Sequence, residues 1–170
     1  MDDHLTVIAQ VVAAAVRAGV PVWLRGGWAM DFFLGAVTRD HDDVDWFCWA
    51  VDADRLEAAL LAAGLTPDLA YPRDDLGRDY LAGRVELQIR YLGRNVDGAV
   101  VVPGDGPYAG SLWPAGMLDH PPGRIGELTA PIISPEAQIE IKTMMPVWVL
   151  GMPVRDKDQR DIATIRAALG

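Results

Sequence analysis

Apolar residues recur at helical spacing from the start of the chain. Leu5, Ile8, Val11, Val12, Ala15 and Val16 share one face, with Asp3 placed to cap that helix and Gly19 to stop it. The apolar run "VPVWL" (20–24) predicts a short buried strand. Gly26-Gly27 then predicts a turn into a short helix, "WAMDFFL", ended by Gly35. After the polar loop "AVTRDHD", the aromatic and β-branched residues of "DVDWFCWAV" (43–51) predict a second strand. Asp52 or Asp54 caps the helix "RLEAALLAA", which Gly64 ends. Further strands are expected near 65–71, 78–83 and 84–92. The segment 93–133 is rich in Gly and Pro and predicts short strands around a long loop. Ser134 starts the helix "SPEAQIEIKTMM" with Pro at its first position. Asp156 starts the last helix, with Ile162, Ile165 and Leu169 on one face. A linker is expected at 146–155.

That order predicts an α+β fold, a small mixed β-sheet with helices packed on it. The 170 residues suit one domain spanning 1–170, with 134–170 as a C-terminal helical part. Residues classed as hydrophobic make up 51% of the chain, enough to build a core, yet no apolar run is long enough to cross a bilayer. The acidic start "MDDHLTVIAQ" does not read as a signal peptide. The single cysteine, Cys48, lies in an apolar run, reads as a small buried hydrophobe and fits a reducing cytoplasm. The net charge of −9 opposes non-specific binding to nucleic acid, which relies on Lys and Arg. It is compatible with a cationic small substrate, and equally with plain solubility.

One feature is out of place in a core strand. Side chains alternate along a strand, so Asp43, Asp45 and Phe47 share one face while Val44, Trp46 and Cys48 take the other. Two carboxylates about 6–7 Å apart repel unless a positive charge lies between them. A hard divalent cation such as Mg²⁺ fills that role, and two such ions are the common arrangement for phosphoryl and nucleotidyl transfer. A third carboxylate would have to come from a neighbouring strand. In "GRVELQIRYL" the apolar set Val85, Leu87, Ile89 and Tyr91 faces the core, which leaves Glu86, Gln88 and Arg90 on the opposite face. A bare D-x-D is a weak signal, and so is Gly-Gly. Their order is informative: strand, Gly-Gly, short helix, Arg/His loop, D-x-D strand, acidic strand. A strand ending in Gly-Gly at a helix start exposes backbone N–H groups suited to phosphate.

With the residues "GGWAMDFFLGAVTRDHDDVD" (26–45), that order resembles the aminoglycoside 2″-adenylyltransferase and lincosamide nucleotidyltransferase group of the DNA polymerase β-like nucleotidyltransferases. The resemblance continues more weakly through "VELQ", "SPEAQIEIK" and "RDKDQRDI", with a gap across 93–130. It implies the polymerase β-like nucleotidyltransferase fold, and transfer of a nucleoside monophosphate from an NTP, with ATP expected, to a hydroxyl of a small molecule. Pyrophosphate would leave. Asp43 and Asp45 would bind two Mg²⁺ ions. Glu86 would be a third metal ligand or the base for the acceptor hydroxyl. Gly26 and Gly27 would set backbone N–H groups against the triphosphate, with Arg39 and His41 near phosphate and Lys142 near the nucleotide. Beside these roles stand plainer ones: Trp28 as a core anchor, Asp31 as a local cap or pair, Lys142 as a surface lysine, and Arg155 and Lys157 as solvated charges beside Asp156 and Asp158.

The acceptor is less determined. Gln88 stands where a second acid would suit a polyamine, and Arg90 after it would repel one, unless Arg90 pairs with a nearby acid or turns to solvent. Glu140 and Glu136 are candidates to offset that charge. Tyr108 and Trp113 either wall the acceptor pocket or belong to a surface loop. The resemblance therefore implies a small hydroxylated acceptor, aminoglycoside- or lincosamide-type, with no membrane partner. Two other classes compete, a nucleotidyltransferase-type toxin or regulator acting on protein or RNA, and a non-catalytic nucleotide-binding module. The acidic charge opposes RNA, and the presence of all three carboxylates opposes the third class.

Overall fold

A computed structural model describes residues 2–170. Helix α1 (Asp2–Ala18) leads into strand β1 (Val22–Arg25) and helix α2 (Gly26–Leu34), then strand β2 (Asp43–Trp49), a short 3₁₀ turn and helix α3 (Ala53–Ala62). Strands β3 (Thr66–Pro67), β4 (Gly77–Ala82), β5 (Val85–Arg94) and β6 (Val100–Val101) follow. Strands β7 (Gly123–Ile125) and β8 (Leu128–Ala130) form a separate ribbon ahead of helices α4 (Pro135–Trp148) and α5 (Asp156–Leu169). The expected α+β class is the one observed.

The sheet runs β1-β2-β5-β4-β3, with β6 also on β5. Strands β2 and β5 are parallel and all other pairings in it are antiparallel, which makes the sheet mixed. A parallel pair needs a long crossover, and here the connection includes α3. Alternation assigns the two faces. Val22, Leu24, Val44, Trp46, Cys48, Leu87 and Ile89 are buried beneath α1 and α3. In cross-strand register on the other face, Asp43 stands beside Glu86, and Arg25, Asp45, Gln88 and Asp79 form one row. Polar side chains from four strands therefore occupy one face.

Several local expectations change. Asp3 lies inside α1 rather than capping it, because the helix already includes Asp2. The buried stripe of α1 is Val7, Ile8, Val11, Ala14 and Ala15, a 3.6-residue period that leaves Val16 exposed. Helix α2 begins at Gly26 itself with no intervening turn. Asp52 occupies the cap position of α3, but its carboxylate pairs with Arg55 instead of a backbone N–H. Ser134 caps α4 as expected, its Oγ accepting from Ala137 N at 3.2 Å. That helix then runs through Pro146 to Trp148, into the expected linker. The buried positions of α5 are Asp158, Asp161 and Ile165, while Leu169 is exposed, so the face it turns inward is largely acidic.

Cys48 is fully buried, and burial first, then the charge of Asp52, pushes its thiol up to about 12, so it packs as an inert small hydrophobe. Among the described residues, no helix is long and apolar enough to cross a membrane.

Candidate active site

The polar face of β2 and the start of α2 floor a cavity of about 280 Å³, closed on the far side by α4 and the start of α5. Asp43 and Asp45 stand in its floor, as their shared strand face requires. Burial, and after it the negative charge of Asp45, holds the Asp43 carboxyl above its ordinary value. The only hydrogen bond described to Asp43 comes from Gln88 Nε2 at 3.2 Å, and Arg25 Nε lies 3.9 Å from Asp45 Oδ1. The repulsion predicted from the sequence is therefore only partly relieved by the protein's own groups.

The glycine pair is required by close approach. A Cβ on Gly26, whose φ is +66°, would lie 2.5 Å from Asp45 Oδ2. A Cβ on Gly27 would lie 2.4 Å from the His41 ring and 2.6 Å from Arg39 Nη2. Only glycine lets β2 and the loop at 38–41 press against the start of α2. The first N–H groups of a helix have no intrahelical partner, and Gly26 and Gly27 both border the cavity.

Beneath that loop lies a buried polar anchor. Asp31 is fully buried; it accepts from Thr38 Oγ1 at 2.6 Å and pairs with His41 Nε2 at 2.7 Å. His41 Nδ1 takes a hydrogen bond from Arg39 Nη1 at 3.0 Å, and the ring packs at a tilt against Trp28, 4.5 Å between centroids. Both ring nitrogens are thus engaged by neighbouring side chains, while His41 also lines the cavity beside Arg39. Trp28 is a core anchor, 2% exposed.

Across the cavity stands a wall of cations: Arg39, Lys142, Arg155 and Lys157. Arg39 donates to both oxygens of Asp161, at 3.2 and 3.0 Å. Lys142 Nζ bridges Asp158 at 3.1 Å and Asp161 at 2.8 Å, and Arg155 donates to both oxygens of Asp158. Burial opposes ionisation of Asp158 and Asp161, yet hydrogen bonds and charge from these cations prevail and hold both carboxyls below their ordinary value. Lys142 is therefore not a surface lysine, whereas Arg155 and Lys157 border the cavity while remaining open to solvent. Sequence reasoning missed Asp158 in the wall and the buried Asp161 behind it; the two share the helix face that carries Ile165, a spacing that by itself does not separate a buried acid from a solvated one.

Other expected members lie elsewhere. Glu86 is in register with Asp43 but exposed, outside the cavity lining. Among the described residues, no three Asp, Glu, His or Cys side chains converge on one point. Glu140 and Glu136 are exposed. The cavity-facing positions of α4 are Gln138, Ile141, Lys142, Met145 and Pro146, an i, i+3, i+4, i+7, i+8 stripe that leaves both acids outside it. Gln88 lines the cavity. Arg90 does not; it pairs with Asp79 and donates to Gln88 Oε1 at 3.2 Å. The expectation of Arg90 as a free repelling charge thus gives way to the pairing alternative.

The family model described as aminoglycoside-2″-adenylyltransferase matches residues 7–165. A 2″-aminoglycoside nucleotidyltransferase of Klebsiella pneumoniae is 42% identical over 70 residues, a stretch spanning 40% of this chain and 40% of that relative. Over whole chains, the solution structure of the antibiotic-resistance factor ANT(2″)-Ia is similar, with a TM-score of 0.77 and 26% identity, covering 98% of this chain and 84% of that one. The lincomycin-bound lincosamide adenylyltransferase LnuA shares the fold, with a TM-score of 0.69, 20% identity and 92% of each chain covered.

Proposed function

This chain belongs to the aminoglycoside-2″-adenylyltransferase family, and from that premise we propose that it transfers a nucleoside monophosphate from an NTP, with ATP as the expected donor, to a hydroxyl of a small antibiotic-type molecule. The observation that carries this reading is the opposition of charges across one cavity: two carboxylates on β2 facing four cations held by α4, α5 and the loop at 38–41. A polyanion with its cations fits between such walls, and phosphoryl chemistry asks mainly for positioning and charge neutralisation.

The donor set fits Mg²⁺. Asp43 and Asp45 present carboxylate oxygens, the ligand type that ion prefers, and their mutual repulsion is what a divalent cation relieves. Bound there, the metal, expected as two ions, would neutralise phosphate charge and favour departure of pyrophosphate. The chain's own residues do the rest. Backbone N–H groups at Gly26 and Gly27 and the side chains of Arg39, Lys142, Arg155 and Lys157 hold the triphosphate. Asp161 and Asp158 hold Arg39, Lys142 and Arg155 in place, and the buried Asp31–His41 pair fixes Arg39. The acceptor oxygen forms a bond to the α-phosphorus, the bond to the bridging oxygen breaks, and pyrophosphate leaves. Glu86, beside Asp43 in register and exposed, takes the acceptor's proton. The buried free thiol of Cys48 suits a reducing cytoplasm.

The test is direct. The full chain with Mg²⁺, a nucleotide panel and an antibiotic panel should yield a nucleotidylated product by mass spectrometry, with stoichiometric pyrophosphate. Pyrophosphate or product absent with every pair would defeat the proposal.

A further inference from the structure

A second cavity, of about 500 Å³, opens beside the first on the same side of the sheet. The two share Arg25 and Met145. Arg25 stands between them: its Nε lies 3.9 Å from Asp45 Oδ1, and its guanidinium sits 4.8 Å from the centre of the Phe47 ring. The Phe47 ring in turn meets Trp113 edge-on at 5.1 Å. A continuous path therefore runs from the carboxylate floor, over Arg25 and Phe47, to the wall of the second cavity.

That wall is mostly apolar. Tyr108, Trp113 and Trp148 supply aromatic surface, and Leu112 and Val149 supply aliphatic surface. The segment that brings Tyr108, Leu112 and Trp113 here is the Gly/Pro-rich one between β6 and β7, pinned by Trp113 N to Val100 O at 3.0 Å and Val102 N to Ser111 O at 2.9 Å. The charged members of the lining are Arg25 and Arg90, and no carboxylate lines the cavity. Asp79 neutralises Arg90 from the sheet side.

From this we infer that the acceptor is an amphiphile: a hydroxylated molecule with an apolar body and at most one positive charge. Its body occupies the second cavity and its hydroxyl reaches past Arg25 to the first. The inference deepens the nucleotidyl-transfer reading and rests on it for the role of the first cavity. The physical argument is one of desolvation. Burying an ammonium requires a partner charge or hydrogen-bond acceptors, and burying several requires several. A polyamine would leave its cations with no carboxylate in the wall to receive them, since Asp79 is already taken by Arg90 and Asp45 lies on the far side of Arg25. An aromatic face can hold a cation without a carboxylate, which accommodates one positive charge on an otherwise apolar body. An apolar body of matching size loses water at no such cost.

Two probes separate the classes. Lincomycin joins a sugar to an alkylated ring through an amide and carries one basic amine; tobramycin carries several amines and no apolar body. Calorimetric titration of the full chain in about 0.15 M salt should show lincomycin binding at least tenfold more tightly than tobramycin. Leu112 is 64% exposed, so Leu112→Glu adds a carboxylate to the wall without removing core. It should weaken lincomycin and tighten tobramycin, each severalfold, and added salt should shrink the tobramycin gain. Tobramycin binding as tightly as lincomycin to the wild type, or Leu112→Glu moving neither affinity, overturns the inference. A parallel titration with Mg-ATP isolates the reading beneath it. Lincomycin bound without Mg-ATP binding leaves the cavity assigned and removes nucleotidyl transfer. Mg-ATP bound with tobramycin preferred does the reverse.

Discussion

Arg39 and Asp161 lie 122 positions apart, and they meet through two hydrogen bonds at 3.2 and 3.0 Å. The pair joins the loop before the D-x-D strand to the last helix. Asp161 is 3% exposed and also receives Lys142, so one carboxylate aligns two cations of the cavity wall. Asp161→Ala should leave both cations without that anchor. Breaking a buried pair by removing one partner costs about 3 kcal/mol. The expected outcome is a lower denaturation midpoint together with weaker Mg-ATP binding by titration. Loss of stability with unchanged nucleotide affinity would limit Asp161 to a structural tie.

The same carboxylates set an acid limit. Asp158 and Asp161 are held below their ordinary value in the folded chain. Their stabilisation is therefore complete above the unfolded carboxylate pKa, about 4, and is lost as pH falls from there through the folded values. Stability measured by urea between pH 5 and 3 should fall in the wild type and fall less steeply in Asp161→Asn. Parallel slopes would show that these groups do not carry the acid sensitivity.

Asp43 has the opposite sign. Its carboxyl is held above its ordinary value, first by burial and then by Asp45, so its ionised form at neutral pH opposes folding. Asp43→Asn should match or exceed the wild-type denaturation midpoint while turnover falls at least about a hundredfold, the scale of lost charge stabilisation at a reacting phosphate. Near-normal turnover in that variant would remove Asp43 from the reaction.

Glu86 and Glu140 form a contrasting pair. Both are exposed, but Glu86 sits in register with Asp43 while Glu140 lies on α4 outside the cavity-facing stripe. Glu86→Gln should cut turnover more than tenfold, above about 1.4 kcal/mol of barrier, with Mg-ATP affinity unchanged. Glu140→Gln should leave turnover and affinity within twofold. Equal effects from the two would deny Glu86 a part in proton transfer.

Gly27→Ala tests the close packing under the loop. The added Cβ would fall 2.4 Å from the His41 ring, which is buried against Trp28 and Asp31 and has little room to yield. A cost of about 1–3 kcal/mol is expected from such overpacking, read as a drop in chemical denaturation midpoint. An unchanged midpoint would mean that the loop relaxes freely.

Much of the site was legible before any fold was known, because it is local. The alternation along residues 43–49 already separated Asp43 and Asp45 from Val44, Trp46 and Cys48. The apolar set at 85, 87, 89 and 91 likewise exposed Glu86, Gln88 and Arg90, and Gly26-Gly27 marked the close approach. Period-2 alternation and the steric freedom of glycine act over a few residues, so the sequence determines them by itself. Helical faces without an apolar stripe were not legible. The inward face of α5 is Asp158 and Asp161, and nothing local distinguishes a buried acid from a solvated one. What decides it is the arrival of Lys142 from α4 and Arg39 from the loop at 38–41, which makes burying those carboxylates cheaper than leaving the cations unpaired. The spacing around His41 does not say which groups its ring meets; packing on α2 sets Asp31 and Arg39 against its two nitrogens. Arg90 was free until β4 paired with β5 and set Asp79 beside it. Local spacing fixed which residue types share a face; tertiary structure decided which charges meet, because partner distance, not sequence, sets the cost of burying a charge.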